Sequence, residues 1–233
     1  MELLDRIKQL AEIHAIDFIG VAGIANYQKE IRSIGGVLGD SFPRAIVIGI
    51  ILPMSIVDLL HDREIYENVF QYRKHAYDFI NQRLDSFTSM VSSIIQKNGH
   101  RVMPVPAAER IDNERVCASI SHKLTARLAG FGWIGKNCLL IHPDHGPRIR
   151  WTTVLTDAPL PENETVIEEQ CGSCNCCAEV CPAQAIRGRN FIEDEPLKER
   201  LDVAKCEAYF AELEKAKKLS VCGMCLYVCP YGR

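Results

Sequence analysis

The sequence has no cysteine in its first 116 residues, no apolar run longer than residues 45–52, and almost no net charge. Each shortage excludes a class of protein. A membrane helix needs about 20 consecutive apolar residues, far more than the longest run offers. Lys and Arg together number 27 and Asp and Glu 30, so the formal charge is only −3. That balance does not advertise nucleic acid or an anionic membrane as a partner, although it leaves room for a local basic groove. Glu2, Asp5, Arg6, Lys8 and Glu12 break up the first 13 residues, which therefore do not read as a secretory signal. A cytoplasmic protein without a membrane partner is expected.

What is present suffices for a core, because 47% hydrophobic against 24% charged residues rules out global disorder. At 233 residues there is room for one sizeable domain and a small appendage. Leu3, Leu4, Ile7, Leu10, Ala11 and Ile13 recur at helical spacing ahead of a short apolar strand at 17–21. Residues 45–52, rich in Ile and Val between Pro43 and Pro53, read as a central strand covered on both faces. Ile65, Val69, Tyr72, Ala76, Ile80, Leu84, Phe87, Val91 and Ile94 step by three or four. They predict one long helix over 64–97, or two with a bend, stopped by Asn98-Gly99. Strands are expected at 101–105, 138–141 and 151–156, with a helix over 119–129. This order argues an α/β fold, a layered sheet with flanking helices. The turn-rich stretch Ala158-Pro159-Leu160-Pro161-Glu162-Asn163 then divides an α/β domain, 1–161, from a small domain, 162–233.

Nine of the eleven cysteines fall between Cys171 and Cys229, while Cys117 and Cys138 stand alone. Crowding of this kind without a signal peptide reads as metal ligation in a reducing compartment. Cys171-x2-Cys174-x2-Cys177-x3-Cys181-Pro182 has the spacing of the bacterial ferredoxin run, whose fourth cysteine serves the other cluster of a pair. Cys206 and Cys222-x2-Cys225-x3-Cys229-Pro230 supply the partner set. The crossing rule assigns Cys171, Cys174, Cys177 and Cys229 to one [4Fe-4S] cluster, and Cys181, Cys206, Cys222 and Cys225 to the second. Thiolates are soft ligands for iron, and a short loop can supply three corners of a cage while a distant cysteine closes the fourth. Structural zinc, which takes its ligands in pairs, is the competing reading and fits three plus one poorly. Cys176 is surplus, either a spare thiol or a register alternative to Cys177. Cys117 and Cys138 are each a small buried hydrophobe or a catalytic thiol.

After the helix expected to end near Ala129 runs Gly130-Phe131-Gly132-Trp133-Ile134-Gly135-Lys136-Asn137. Its glycines permit positive φ angles and close approach to a flat or anionic group, whereas a helix cap explains Gly130 alone. Taken with both cysteine motifs, this loop resembles the epoxyqueuosine reductase family. Ser41-Phe42-Pro43-Arg44-Ala45 and Leu155-Thr156-Asp157-Ala158-Pro159-Leu160 extend the resemblance over nearly the whole chain. The resemblance implies a nitroreductase-like, cobalamin-binding core with a ferredoxin-like two-cluster domain, related to cobalamin-dependent reductive dehalogenases. In such a protein the clusters pass electrons singly to cobalamin, which removes an epoxide oxygen from a tRNA-bound queuosine precursor. The implied cobalamin residues are Gly130, Gly132, Trp133, Gly135 and Lys136. The implied partners are an external low-potential electron donor and tRNA.

The sequence departs from the family pattern in three places. Where the family has a proton-donating aspartate, this chain reads Arg115-Val116-Cys117-Ala118-Ser119-Ile120-Ser121-His122. An opened epoxide needs a proton for its alkoxide, so the candidate donors are His122, Cys117, a tyrosine, or an acid from elsewhere such as Glu109 or Asp112. The family's Asp-Tyr-His segment is not reproduced, although Tyr72, His75 and Tyr77 lie near its place. Longer members carry a helical-repeat domain that helps grip tRNA, and this sequence stops at Arg233, so tRNA does not follow from the resemblance alone. Arg110, Arg115, Lys123, Arg127, Lys136, Arg148 and Arg150 are either phosphate contacts or solvated charge. His142 and His145 flank Pro143-Asp144, as a metal pair or an ordinary turn. The alternative function is a ferredoxin-like electron-transfer protein that reduces a partner such as a corrinoid protein and has no substrate of its own.

Overall fold

The computed structural model describes residues 2–27, 29, 31, 41–108, 110–111, 118–163, 165–193 and 195–233. Its main elements, in chain order, are α1 (Leu3–Ile13), β1 (Phe18–Gly23), β2 (Arg44–Ile51), α2 (Met54–Asp58), α3 (Tyr66–Arg73), α4 (Ile80–Lys97), β3 (Val102–Val105), α5 (His122–Leu128), β4 (Trp133–Ile134), β5 (Leu140–Ile141), β6 (Ile149–Thr156), α6 (Cys176–Glu179), α7 (Val203–Lys215) and α8 (Met224–Tyr227). Two compact units result. The first is Met1–Ile51, Ile80–Gly132 and Ile149–Ile167; the second is Leu52–Phe79, Trp133–Arg148 and Glu168–Arg233.

The first unit is built on a four-stranded antiparallel sheet in the order β1-β2-β6-β3. Residues 45–50 of β2 are all buried, as a central apolar strand requires, and α4 and α5 pack on β2 and β6. Gly49 lies opposite Trp151, and a Cβ there would come within 2.5 Å of the indole, so the bare backbone makes room for the ring. Phe131 stacks on Trp151 at 5.2 Å and meets Phe18 edge-on at 5.5 Å. On α4 the buried stripe is Ile80, Leu84, Phe87, Thr88, Val91 and Ile95. It closes on Ile95 rather than Ile94, because a step of four from Val91 stays on the same face. Each large apolar side chain buried here contributes roughly 1.5–3 kcal/mol.

The bend expected in the long helix is a π-helical turn, Lys74–Phe79, between α3 and α4. Asp78 within it accepts from Lys74 Nζ at 2.9 Å and Arg73 Nε at 3.4 Å. Those two cations hold the Asp78 carboxyl below its ordinary range.

The second unit does not begin at the turn-rich stretch. Residues 52–79 and 133–148 pack with the cysteine-rich segment, while Ala158 and Leu160 are buried in the first unit. The reason is size: the 13-residue α7 has no buried residue and the four-residue α6 and α8 add little, so the segment buries too little apolar surface of its own. Leu60 and Tyr72 close over Gly223, and Trp133 of the β4–β5 hairpin meets Tyr231 edge-on at 4.8 Å. Among the described residues no helix is long and apolar enough to cross a membrane.

Candidate iron-sulfur site

Two similar local designs build the site. Gly172 and Gly223, each immediately after the first cysteine of a Cys-x2-Cys loop, have φ of +50° and +76°. Only glycine enters that left-handed region without strain, and it turns each loop back on itself. The short helices α6 and α8 follow, carrying Cys177 and Cys225. Cys181-Pro182 and Cys229-Pro230 come just after them, where proline keeps the helix from continuing. Cys206 comes from the start of α7, whose cap Asp202 accepts the Lys205 N–H at 3.2 Å.

The ten described cysteines are all free thiols, and those of the cysteine-rich segment influence one another's charge. Burial pushes Cys177 up to about 12, and Cys171, Cys174 and Cys229 add to the shift. Burial also raises Cys229 to about 11, with Cys171 and Cys174 contributing. Cys206 rises to about 11 through burial and then through Cys222 and Cys181. Cys225 is raised by burial and by Cys222, Cys177, Cys181 and Cys206. Cys177 thus has Cys171, Cys174 and Cys229 as charge neighbours and Cys206 has Cys222 and Cys181, while Cys225 is influenced by Cys177 as well as by Cys222, Cys181 and Cys206. Cys176 instead interacts chiefly with Cys174, which leaves Cys177 at the centre of the first set. Among the described residues no three His, Cys, Asp or Glu side chains gather closely enough to share one metal ion.

Hydrogen-bond donors surround the sulfurs, as an anionic cluster requires. Lys136 is buried and donates through Nζ to Gly172 O at 2.7 Å and Asn175 Oδ1 at 3.2 Å, bracing the first loop. Asn137 Nδ2 donates to Cys225 O at 3.1 Å. Burial raises the Cys171 pKa, while the Lys136 backbone N–H and the Trp133 indole work against it. The indole Nε1 is buried with no partner inside ordinary hydrogen-bond distance, so it acts on Cys171 from longer range. Ala185 N donates to Cys181 Sγ at 3.4 Å and Arg63 Nη1 to Cys222 Sγ at 3.5 Å. Sequence reasoning missed Arg63 and Tyr209, which lie outside every motif, and gave no role to Asn137 and Asn175, although they fall within the glycine loop and the cysteine run. Arg63 lies 159 positions from the cysteine it reaches.

The other expected site residues are placed differently. His122 holds Pro106 O through Nε2 at 2.9 Å and Thr153 Oγ1 through Nδ1 at 2.8 Å, so both ring nitrogens serve the first unit's packing. Cys117, Glu109, Asp112 and Arg115 lie outside the described residues. The expected glycine loop is divided: Gly130 caps α5 with φ +79°, and a Cβ there would collide with Asn163. Trp133 begins the β4–β5 hairpin, and a Cβ on Gly135 would come within 2.7 Å of Ile141. Gly130, Trp133, Gly135 and Lys136 are thus engaged by the protein itself. Arg148 is buried and pairs with Asp58 at 3.0 Å, and Arg150 donates to Asn81. Tyr72 is buried beside Tyr77. Cys138 is a buried thiol. Burial, and then His145, lowers the His142 pKa.

Residues 170–232 match the family described as the 4Fe-4S double cluster binding domain. The segment in which the thiols gather is thus the part of the chain that matches a domain binding two four-iron clusters. Beyond that class, the chain is similar to epoxyqueuosine reductases. It is 32% identical to the enzyme of Pseudomonas aeruginosa over 179 residues, 72% of this chain and 44% of that one. To the enzyme of Bacillus anthracis it is 31% identical over 125 residues, 49% of this chain and 30% of that one. The chain thus spans less than half the length of either relative.

Solved structures share the fold. A catabolic reductive dehalogenase in complex with 3-bromo-4-hydroxybenzoic acid gives a TM-score of 0.74 at 20% identity, over 97% of this chain and 31% of that one. A reductive dehalogenase whose structure suggests a mechanism for B12-dependent dehalogenation gives 0.70 at 19%, over 97% and 31%. An epoxyqueuosine reductase with an epoxyqueuosine-modified tRNA stem loop gives 0.58 at 18%, over 98% and 64%. The α/β architecture with a double-cluster segment is the fold expected from the sequence.

Proposed function

We propose that this chain is an iron-sulfur reductase of the epoxyqueuosine reductase type, using two [4Fe-4S] clusters and a corrinoid to reduce an epoxide on a tRNA-borne queuosine precursor. What supports the reading is the gathering of Cys171, Cys174 and Cys229 about Cys177 and of Cys222 and Cys181 about Cys206, within the segment that matches a double-cluster domain. When bound, the clusters supply one-electron steps at low potential. The chain's own contribution is to crowd and bury the thiols, to brace the first loop through Lys136, and to aim N–H donors at sulfur. Because Cys177 and Cys206 hold their protons up to about 12 and 11, cluster assembly at neutral pH must release protons.

The corrinoid and the tRNA enter this proposal from relatives that share the fold, a reductive dehalogenase with B12-dependent chemistry and an epoxyqueuosine reductase bound to a modified tRNA stem loop. The expected loop does not fit as the corrinoid's cradle, because Gly130, Trp133, Gly135 and Lys136 are taken by protein contacts. The same observation, with Arg148 and Arg150 also committed, favours the second reading of an electron-transfer protein that reduces a corrinoid partner. Anaerobic reconstitution with iron and sulfide, followed by titration with cobalamin, separates the two. Eight irons per chain and stoichiometric corrin binding support the reductase. Eight irons with no shift in the corrin bands leave the electron-transfer protein.

A further inference from the structure

Arg63 reaches the cysteine-rich segment from the stretch 52–79. Its Nη1 lies 3.5 Å from Cys222 Sγ, and its Nη2 donates to Tyr209 OH at 2.6 Å. The guanidinium carbon also sits 5.8 Å from the centre of the Tyr209 ring. The phenol therefore holds one arm of a planar fork and fixes the direction of the other, an arrangement lysine cannot copy. No carboxylate among the described residues pairs with Arg63, and the adjacent Glu64 is held by Lys218 at 3.2 Å. Glu64 therefore acts on Arg63 only from a distance, and the direct contacts of the guanidinium are the Tyr209 phenol and the Cys222 sulfur.

We propose that Arg63, clamped by Tyr209, sets the reduction potential of the second cluster through its charged N–H···S bond to Cys222. This rests on the assignment of Cys222 as a cluster ligand. Reduction adds one negative charge to the cluster, and a fixed cation on a ligand sulfur stabilises the reduced form more than the oxidised form. The potential is thereby raised. Among the described residues no cation bonds a sulfur of the first set, and the Lys136 ammonium is spent on Gly172 O and Asn175 instead. The structure thus contains its own internal control. The consequence is directional: an external donor loads the second cluster more readily than it would without Arg63.

The test is an EPR-monitored redox titration of the reconstituted full chain and of Arg63→Gln, Arg63→Lys and Tyr209→Phe, with iron counted in each. In Arg63→Gln one cluster's reduced-to-oxidised ratio at fixed potential falls about tenfold, which is about 59 mV for a one-electron couple, while the other cluster's stays unchanged. Arg63→Lys and Tyr209→Phe give smaller shifts of the same sign. Unchanged potentials, or equal shifts in both clusters, overturn the proposal. If Arg63→Gln loses iron, Tyr209→Phe decides, and an unshifted potential in that variant overturns it. Fewer than eight irons in the unaltered chain would refute the cluster assignment itself, a result distinct from an unmoved potential.

Discussion

Replacing Lys136 by Met tests whether this residue braces the first cluster loop or serves a bound cofactor. Methionine keeps the length and apolar stem of lysine but removes the ammonium that bonds Gly172 O at 2.7 Å and Asn175 Oδ1 at 3.2 Å. A hydrogen bond with a charged partner contributes about 1.5–3 kcal/mol. The 2.7 Å bond carries most of this, and the longer bond to Asn175 adds less. Gly172 and Asn175 are themselves exposed, so water can satisfy the acceptors left behind, and the loss falls near the low end. About 2 kcal/mol is expected, roughly a 30-fold rise in opening of the Cys171 loop. The assay is the rate at which a chelator removes iron from the reconstituted protein. Four of eight irons should leave tens of times faster in Lys136→Met while the other four keep their rate. Asn175→Ala should reproduce a fraction of the effect, and the double variant should add little to Lys136→Met. Unchanged chelation in Lys136→Met, with iron content intact, would refute the bracing role.

Cys206→Ser should lower the iron content from eight toward four per chain with an unchanged far-UV spectrum, since Cys206 lies with Cys181 and Cys222 and not with the first set. Gly146→Ala should lower stability by about 2–4 kcal/mol, measured as a lower urea midpoint at unchanged slope. Its φ is +56°, costing about 1 kcal/mol for a Cβ, and that atom would strike the Tyr231 carbonyl, which adds about 1–3 kcal/mol of overpacking. His142 should titrate below its ordinary value of 6.5, because burial and then His145 disfavour its charged form. The unfolded chain then takes up this proton first as pH falls, so the contribution is full above pH 6.5 and lost below it. Replacing His145 with Gln should move the His142 NMR midpoint upward, and an unmoved midpoint would refute the coupling.

The sequence by itself determined the features that depend on local chemistry. The spacing of Cys171 to Cys229 announced a double-cluster segment, because a short turn fixes which thiols can meet, and residues 170–232 match a domain of that description. The apolar run of β2 and the stripe of α4 were legible because periodicity records which face is buried. Tertiary structure alone decided what surrounds those elements. The turn-rich stretch looked like a domain boundary, yet Leu60, Tyr72 and Trp133 join the cysteine-rich segment, since that segment has too little apolar surface to close its own core. The glycine loop looked like an open cradle, but whether a glycine leaves space or fills it depends on what arrives from elsewhere, and Asn163 and Ile141 arrive at Gly130 and Gly135. Arg63 carried no local signal at all. Its meeting with Cys222 and Tyr209 spans some 150 positions, and no spacing rule in a sequence encodes a contact made only when distant segments pack.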